Sequence, residues 1–134
     1  MPPKRQDLLN LLCDLSDLSA LVAGSENIEN FLQRTVALVS GHLRTPVCSI
    51  YLYDETADEL VLKATVGLNV ESVGLIRLRM GEGLVGKALK ELRPIRRDHA
   101  SRDPDYMFFP ESGEAPFESF LAVPILRGIE RVGV

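Results

Sequence analysis

A chain of 134 residues is the size of one domain and can bury a core without disulfides or a structural metal. It is 46% apolar and 25% charged with a net charge of −4, and its basic residues are scattered, which argues against a nucleic-acid partner. No apolar run approaches the ~20 residues of a membrane span, and the N-terminal leucines are broken by Asp14, Ser16, Asp17 and Ser19, so they form no signal-peptide core.

Residues 1–6 read as a flexible tail and 7–134 as one domain. In 7–23, Leu8, Leu11, Leu15, Leu18 and Val22 recur in alternating steps of three and four, the spacing of a helical seam. Leu9, Leu12 and Leu21 widen the stripe beyond what one contact covers, so the pattern predicts a two-fold dimer. Gly24 and Ser25 end this helix, and Ser25 is placed to cap a second one that runs to Leu43 and stops at Thr45–Pro46.

The pattern then becomes β-like. Val47–Tyr53 and Glu59–Val66 read as a hairpin around the turn residues 54–58. Residues 67–72 read as a loop, Leu75–Met80 as a strand with one wet face, Gly81–Leu92 as a short helix and Pro94–Arg97 as a short strand. A long loop covers 98–117, Phe120–Leu126 is the most apolar strand, and Arg131–Val134 starts another after a turn at Gly128. The last strand reads as an edge cut at Val134, with a covering helix expected beyond it. The fold class is α+β: a central, mainly antiparallel sheet with the N-terminal helices on one face and a pocket of short helices and a long loop on the other.

Three features bear on chemistry. Gly81-Glu82-Gly83-Leu84-Val85-Gly86-Lys87 approaches a phosphate-binding loop, but Ala88 stands where Ser or Thr would bind Mg²⁺. A tight turn with close helix-to-sheet packing is the preferred reading there. His42 and His99 have no second ligand at metal-binding spacing, and Cys13 and Cys48 read as reduced thiols, so no metal site and no catalytic group is expected. Loops as long as 98–117 are usually functional. Its aromatic residues either anchor it or form a pocket lid, and both readings stay open. The candidate ligand-binding residues are Asp98, His99, Ser101, Arg102, Phe109 and Phe117, with Tyr51 from the first strand. Arg102 suits a carboxylate because its guanidinium is a planar fork.

Taken in order, Cys-Ser-Ile-Tyr-Leu-Tyr-Asp (48–54), Met-Gly-Glu-Gly-Leu-Val-Gly-Lys-Ala (80–88), Arg-Pro-Ile (93–95), Ser-Phe-Leu-Ala-Val-Pro-Ile (119–125) and Arg-Val-Gly-Val (131–134) resemble the GAF domain series. Residues 100–125, above all Phe-Pro-Glu-Ser-Gly-Glu-Ala-Pro-Phe (109–117), resemble the GAF domain that opens the nitrogen-type phosphoenolpyruvate–protein phosphotransferase. That resemblance implies a cytoplasmic, non-catalytic sensor that tunes a downstream phosphotransferase. Its ligand would be glutamine or another nitrogen metabolite. The resemblance implies no cofactor in this segment, Mg²⁺ use in the parent, and a phosphocarrier protein as partner of the region beyond Val134. The signature of cyclic-nucleotide GAF domains is missing, and no loop cysteine is available for a bilin or for methionine-sulfoxide reduction. The alternatives are a GAF domain of a nitrogen-fixation transcription activator, a GAF-fold enzyme and a purely structural dimeriser.

Overall fold

The helix that ends at Thr45–Pro46 begins at Ile28, where the side chain of Asn27 accepts the Asn30 amide at 2.8 Å. In this computed structural model, which describes residues 27–113 and 118–134, the cap is therefore Asn27 and not Ser25. Asn27 has the same short acceptor one half-turn nearer the apolar repeat. The tail 1–6, the leucine-striped segment 7–23 and Phe117 lie outside the described residues. Helix α1 (Ile28–Leu43) buries Leu32 and Val36 and ends on Arg44 in the left-handed conformation, with its N–H on the Ser40 carbonyl.

Strands β1 (Cys48–Asp54) and β2 (Glu59–Val66) pair antiparallel around a turn in which Asp54 Oδ1 accepts the Thr56 and Ala57 amides at 3.0 and 3.3 Å. The register shifts by one residue after Ile50, which leaves Lys63 without a cross-strand partner. Strict alternation would put Leu60, Leu62 and Ala64 on one face. The bulge instead sends Leu60 to one core, and Ala64 and Val66 to the other.

The remaining elements are β3 (Arg77–Arg79), α2 (Gly83–Glu91), β4 (Ile95–Arg97), β5 (Phe120–Ala122), β6 (Ile125–Arg127) and β7 (Glu130–Gly133). The main sheet has the order β3-β2-β1-β7-β6, and β4 pairs with β5 in a second, two-stranded sheet. Every pairing is antiparallel, so the architecture is α+β.

Three expectations need correction. The apolar run Phe120–Leu126 is two strands, because Pro124 has no N–H to give a ladder; β5 turns to β4 and β6 to β7. The strand 75–80 shrinks to Arg77–Arg79, whose buried Leu78 lies between two exposed arginines. The final strand is no edge, since β7 lies between β1 and β6.

Two cores flank the sheet. Leu32, Val36 and Ala64 join Ile50, Leu52, Cys48 and Val66 under α1. On the opposite face Leu60, Leu78, Leu84, Ala88, Leu89, Ile95, Ala100, Ala122 and Val134 form the larger cluster under α2. A fully buried side chain such as Leu60 or Leu89 is worth about 1.5–3 kcal/mol.

The glycine-rich turn brings α2 this close. A Cβ on Gly86 would stand 2.7 Å from the Arg79 carbonyl oxygen. Alanine normally favours a helix interior over glycine by about 1 kcal/mol. Gly86→Ala is expected to reverse that sign and destabilise by about 1–3 kcal/mol through overpacking. Thermal unfolding of the variant checks this; a raised melting temperature would show that the helix can back away.

Candidate functional site

The 98–113 loop crosses the α2 face of the sheet. Its base is closed by the Ala100 amide on the Glu118 carbonyl at 2.8 Å, and Ala100 itself is fully buried. From there the chain makes a 3₁₀ turn over Ala100–Arg102. Asp103 then receives Arg97 Nε at 2.5 Å on one carboxylate oxygen and the Asp105 amide at 2.8 Å on the other. The next acid, Asp105, takes Lys87 Nζ of α2 at 2.7 Å. Tyr106 and Phe109 turn inward against the larger core. Met107 lies over Gly83, where a Cβ would meet it at 3.5 Å. A last 3₁₀ turn, Pro110–Ser112, holds the loop to its neighbour through the Asn69 amide on the Ser112 carbonyl at 2.7 Å.

The electrostatics follow these contacts. The Arg97 guanidinium, and after it the Asp105 amide, hold the Asp103 carboxyl below the usual carboxylate range. The hydrogen bond to Asp105 raises the Lys87 ammonium above its ordinary value. Away from the loop, burial pushes the Cys48 thiol up, which leaves it less reactive.

The predicted site residues divide into two groups. Tyr51 and Phe109 both pack against the larger core. Asp98, His99, Ser101 and Arg102 are exposed on the outer rim. There the Glu118 carboxylate gathers Ser101 Oγ at 2.5 Å and His99 Nδ1 at 3.5 Å, while Asp98 pairs with Arg96 at 3.4 Å. Arg102 pairs with no carboxylate among the described residues. Ser101 donates to the acid and not to the imidazole, so this trio lacks the nucleophile–base contact that covalent catalysis requires. Among the described residues no group of three or more His, Cys, Asp or Glu is placed to hold a metal ion, and no helix is long and apolar enough to cross a membrane.

Space and loop do not coincide. Aromatic side chains occupy the region under the loop, whereas an open cavity of about 410 Å³ lies at the other end of the sheet, lined by Leu52, Tyr53, Asp54, Glu55, Val61, Lys63 and Arg77. Leu52, Val61 and Arg77 are successive cross-strand partners, so this groove opens on the face that α1 covers. The loop's four anchors, Lys87, Arg97, Asp103 and Asp105, escaped the sequence reading. Only the Asp-Pro-Asp turn hinted at them, because Lys87 lies on a different element.

A family model described as a GAF domain matches residues 25–134. The chain is 30% identical over 117 residues to a phosphoenolpyruvate-dependent phosphotransferase system protein of Escherichia coli, covering 87% of this chain and 16% of that one. It is 30% identical over 140 residues to the nitrogen fixation protein VnfA of Azotobacter vinelandii, covering 96% of this chain and 25% of that one. The solved GAF domain from a phosphoenolpyruvate-protein phosphotransferase of Coxiella burnetii superposes with a TM-score of 0.84 at 35% identity, covering 93% of this chain and 74% of that one. The chain thus spans a quarter or less of each of these two curated relatives.

The depressed Asp103 carboxyl makes the loop sensitive to acid. Because its folded pKa lies below the unfolded value, its contribution is complete above the ordinary carboxylate range and is lost as pH falls through the folded pKa. As pH falls below the ordinary carboxylate range, loop opening, read as amide exchange corrected for its intrinsic pH dependence, is expected to increase more in the wild type than in Asp103→Asn, which is already loosened. Identical acid profiles for the two proteins would remove Asp103 as the loop's anchor.

Proposed function

We propose, from the premise that the chain belongs to the GAF domain family, that it is a non-catalytic sensing module that regulates a phosphoenolpyruvate–protein phosphotransferase. The observation that supports this reading is the extent of the likeness, which covers 93% of the chain against a solved GAF domain of such an enzyme. The ligand class is a small nitrogen metabolite bearing a carboxylate, glutamine first. Arg102, exposed at the end of its 3₁₀ turn, supplies a cation for it. Asp98, His99 and Ser101 supply polar contacts beside it, and Tyr51, Phe109 and Phe117 the apolar ones. Loop aromatics fill the face at rest, so binding requires the loop to lift, with the ligand's apolar part taking the place of the rings it displaces.

The module works in the cytoplasm as a two-fold dimer through the stripe Leu8, Leu11, Leu15, Leu18 and Val22. A phosphocarrier protein and Mg²⁺ are served by the parent's other regions. A second reading, a GAF domain of a nitrogen-fixation transcription activator, is favoured by the likeness to VnfA. Phosphoryl transfer from labelled phosphoenolpyruvate by the full-length protein separates the two.

Titration calorimetry with glutamine tests the site. Arg102→Ala is expected to weaken binding at least about tenfold, the worth of one charge-assisted hydrogen bond, at an unchanged melting temperature. Equal affinity would remove Arg102. The absence of any heat or thermal shift across the amino acids would leave the structural dimeriser standing. For assembly, Leu11→Glu combined with Leu18→Glu should halve the mass measured by light scattering at micromolar concentration. A wild type that is already monomeric refutes the dimer.

A further inference from the structure

A sensor needs a physical connection from its loop to the rest of the domain. Resting on the sensing role proposed above, we propose that Arg131 is a positioning residue that couples the 98–113 loop to β7 through α2. Its half-buried side chain leaves the sheet and places Nε 3.0 Å from the Leu89 carbonyl and Nη2 3.3 Å from the Lys90 carbonyl. These are last-turn acceptors of α2, the groups a helix cannot satisfy internally and toward which its dipole draws a cation. A strand residue thereby caps a helix more than forty positions earlier in the chain.

The same helix is held by the loop at two other points, Lys87 on Asp105 and Gly83 under Met107. Lys87 lies two residues before Leu89, so a displacement of α2 that follows loop opening reaches the Arg131 contacts within the same turn of a rigid rod. The receiving hairpin is open at one end and held at the other, where Val134 is buried in the larger core. All three residues of β6 are exposed, as is Ile129 at the tip. β7 meets β1 only at its last residues, Leu52 opposite Gly133 and the reciprocal amide bonds of Tyr51 and Val134, both 2.9 Å. The guanidinium clamp ties the β6–β7 hairpin directly to the end of α2, beside the packing of Val134 in the larger core. The hairpin's own salt bridge, Arg127 on Glu130 at 2.7 Å, stays within it.

Amide hydrogen exchange in a double-mutant cycle tests this without any ligand. Asp105→Asn breaks the loop's hold on Lys87. In the otherwise wild-type chain it is expected to accelerate exchange of the Tyr51 and Val134 amides by about fivefold, the lower end of ordinary coupling. In an Arg131→Met background the same change should accelerate them less than twofold, while in an Arg127→Ala background the full effect should persist. If Arg131→Met does not fold, Arg131→Lys takes its place: it keeps the charge, loses the fork, and should give an intermediate effect. Equal acceleration in all backgrounds overturns the proposal. So does acceleration confined to the loop's own amides, with Tyr51 and Val134 unchanged. A protein that binds no amino acid can still pass this test, and one that binds glutamine can fail it, so the two readings stand or fall separately.

Discussion

Everything in this domain depends on one extra residue in β2. A sheet packed on both faces by unlike partners must send apolar side chains both ways along the same hairpin, and the period of two permits that only if two apolar sets are interleaved. The hairpin instead carries an apolar run, Glu-Leu-Val-Leu-Lys-Ala-Thr-Val, whose parity would face Leu60 and Ala64 the same way. The bulge at Lys63 shifts the parity halfway along. Leu60 then meets α2 and Ala64 meets α1, and both are buried. The helix secures the altered region with a side-chain amide: Gln33 Nε2 donates to the Thr65 carbonyl at 2.9 Å, and its Oε1 accepts the Thr65 amide at 3.4 Å. A backbone segment next to a disrupted ladder is thus satisfied by the element packed on it.

That division of labour gives the two faces different character. Under α1 the sheet's contribution is local to one hairpin. Under α2 the core collects residues from β2, β3, α2, β4 and β5 together with the loop's Tyr106 and Phe109. The loop is held by two kinds of force of unequal size. Of its ion pairs, Lys87–Asp105 is accessible at its acid and contributes little, while Arg97–Asp103 is more shielded; its inward aromatic rings bury large apolar area. The charges therefore set where the loop sits, and the rings set how firmly it stays. A group able to replace those rings could displace the loop at modest cost, which suits a segment that has to move.

The outline of the fold was legible because its strongest signals are local. The hairpin Cys48–Asp54 with Glu59–Val66 is announced by β-branched and aromatic residues around an Asp-rich turn, and Arg77-Leu78-Arg79 by its alternation. Position-specific backbone effects were harder to weigh. Pro124 stands inside the most apolar run of the chain, and hydrophobicity there outvoted the missing N–H that divides the run. Contacts that join distant segments left no trace in sequence spacing. Neither the bulge at Lys63, nor Lys87 on Asp105, nor Arg131 on the end of α2 follows from neighbours along the chain. The rim residues Asp98, His99, Ser101 and Arg102 were identifiable as polar and grouped, but which of them pair with Arg96 and Glu118 was not.

The glycine motif shows how far a spacing can mislead and what settles it. Gly81 to Lys87 has nearly the arrangement of a phosphate cradle, in which backbone amides must point unengaged into a hollow. Here the Gly81 amide donates to the Gly86 carbonyl, the Glu82 amide to the Arg79 carbonyl and the Gly86 amide to the Glu82 carbonyl, each at 3.0 Å. The Glu82 carboxylate closes the turn further by accepting the Arg79 amide at 3.2 Å. An anion arriving there would find these three donors occupied and a carboxylate in the way. Lys87, which in a phosphate loop would reach the anion, reaches Asp105 of the loop instead. The glycines are needed for geometry: Gly81 and Gly83 adopt positive φ, and Gly86 lets the Arg79 backbone approach the helix. The same short sequence that would cradle a nucleotide in one context, with its amides turned inward, becomes the hinge that seats α2 between the sheet and its loop.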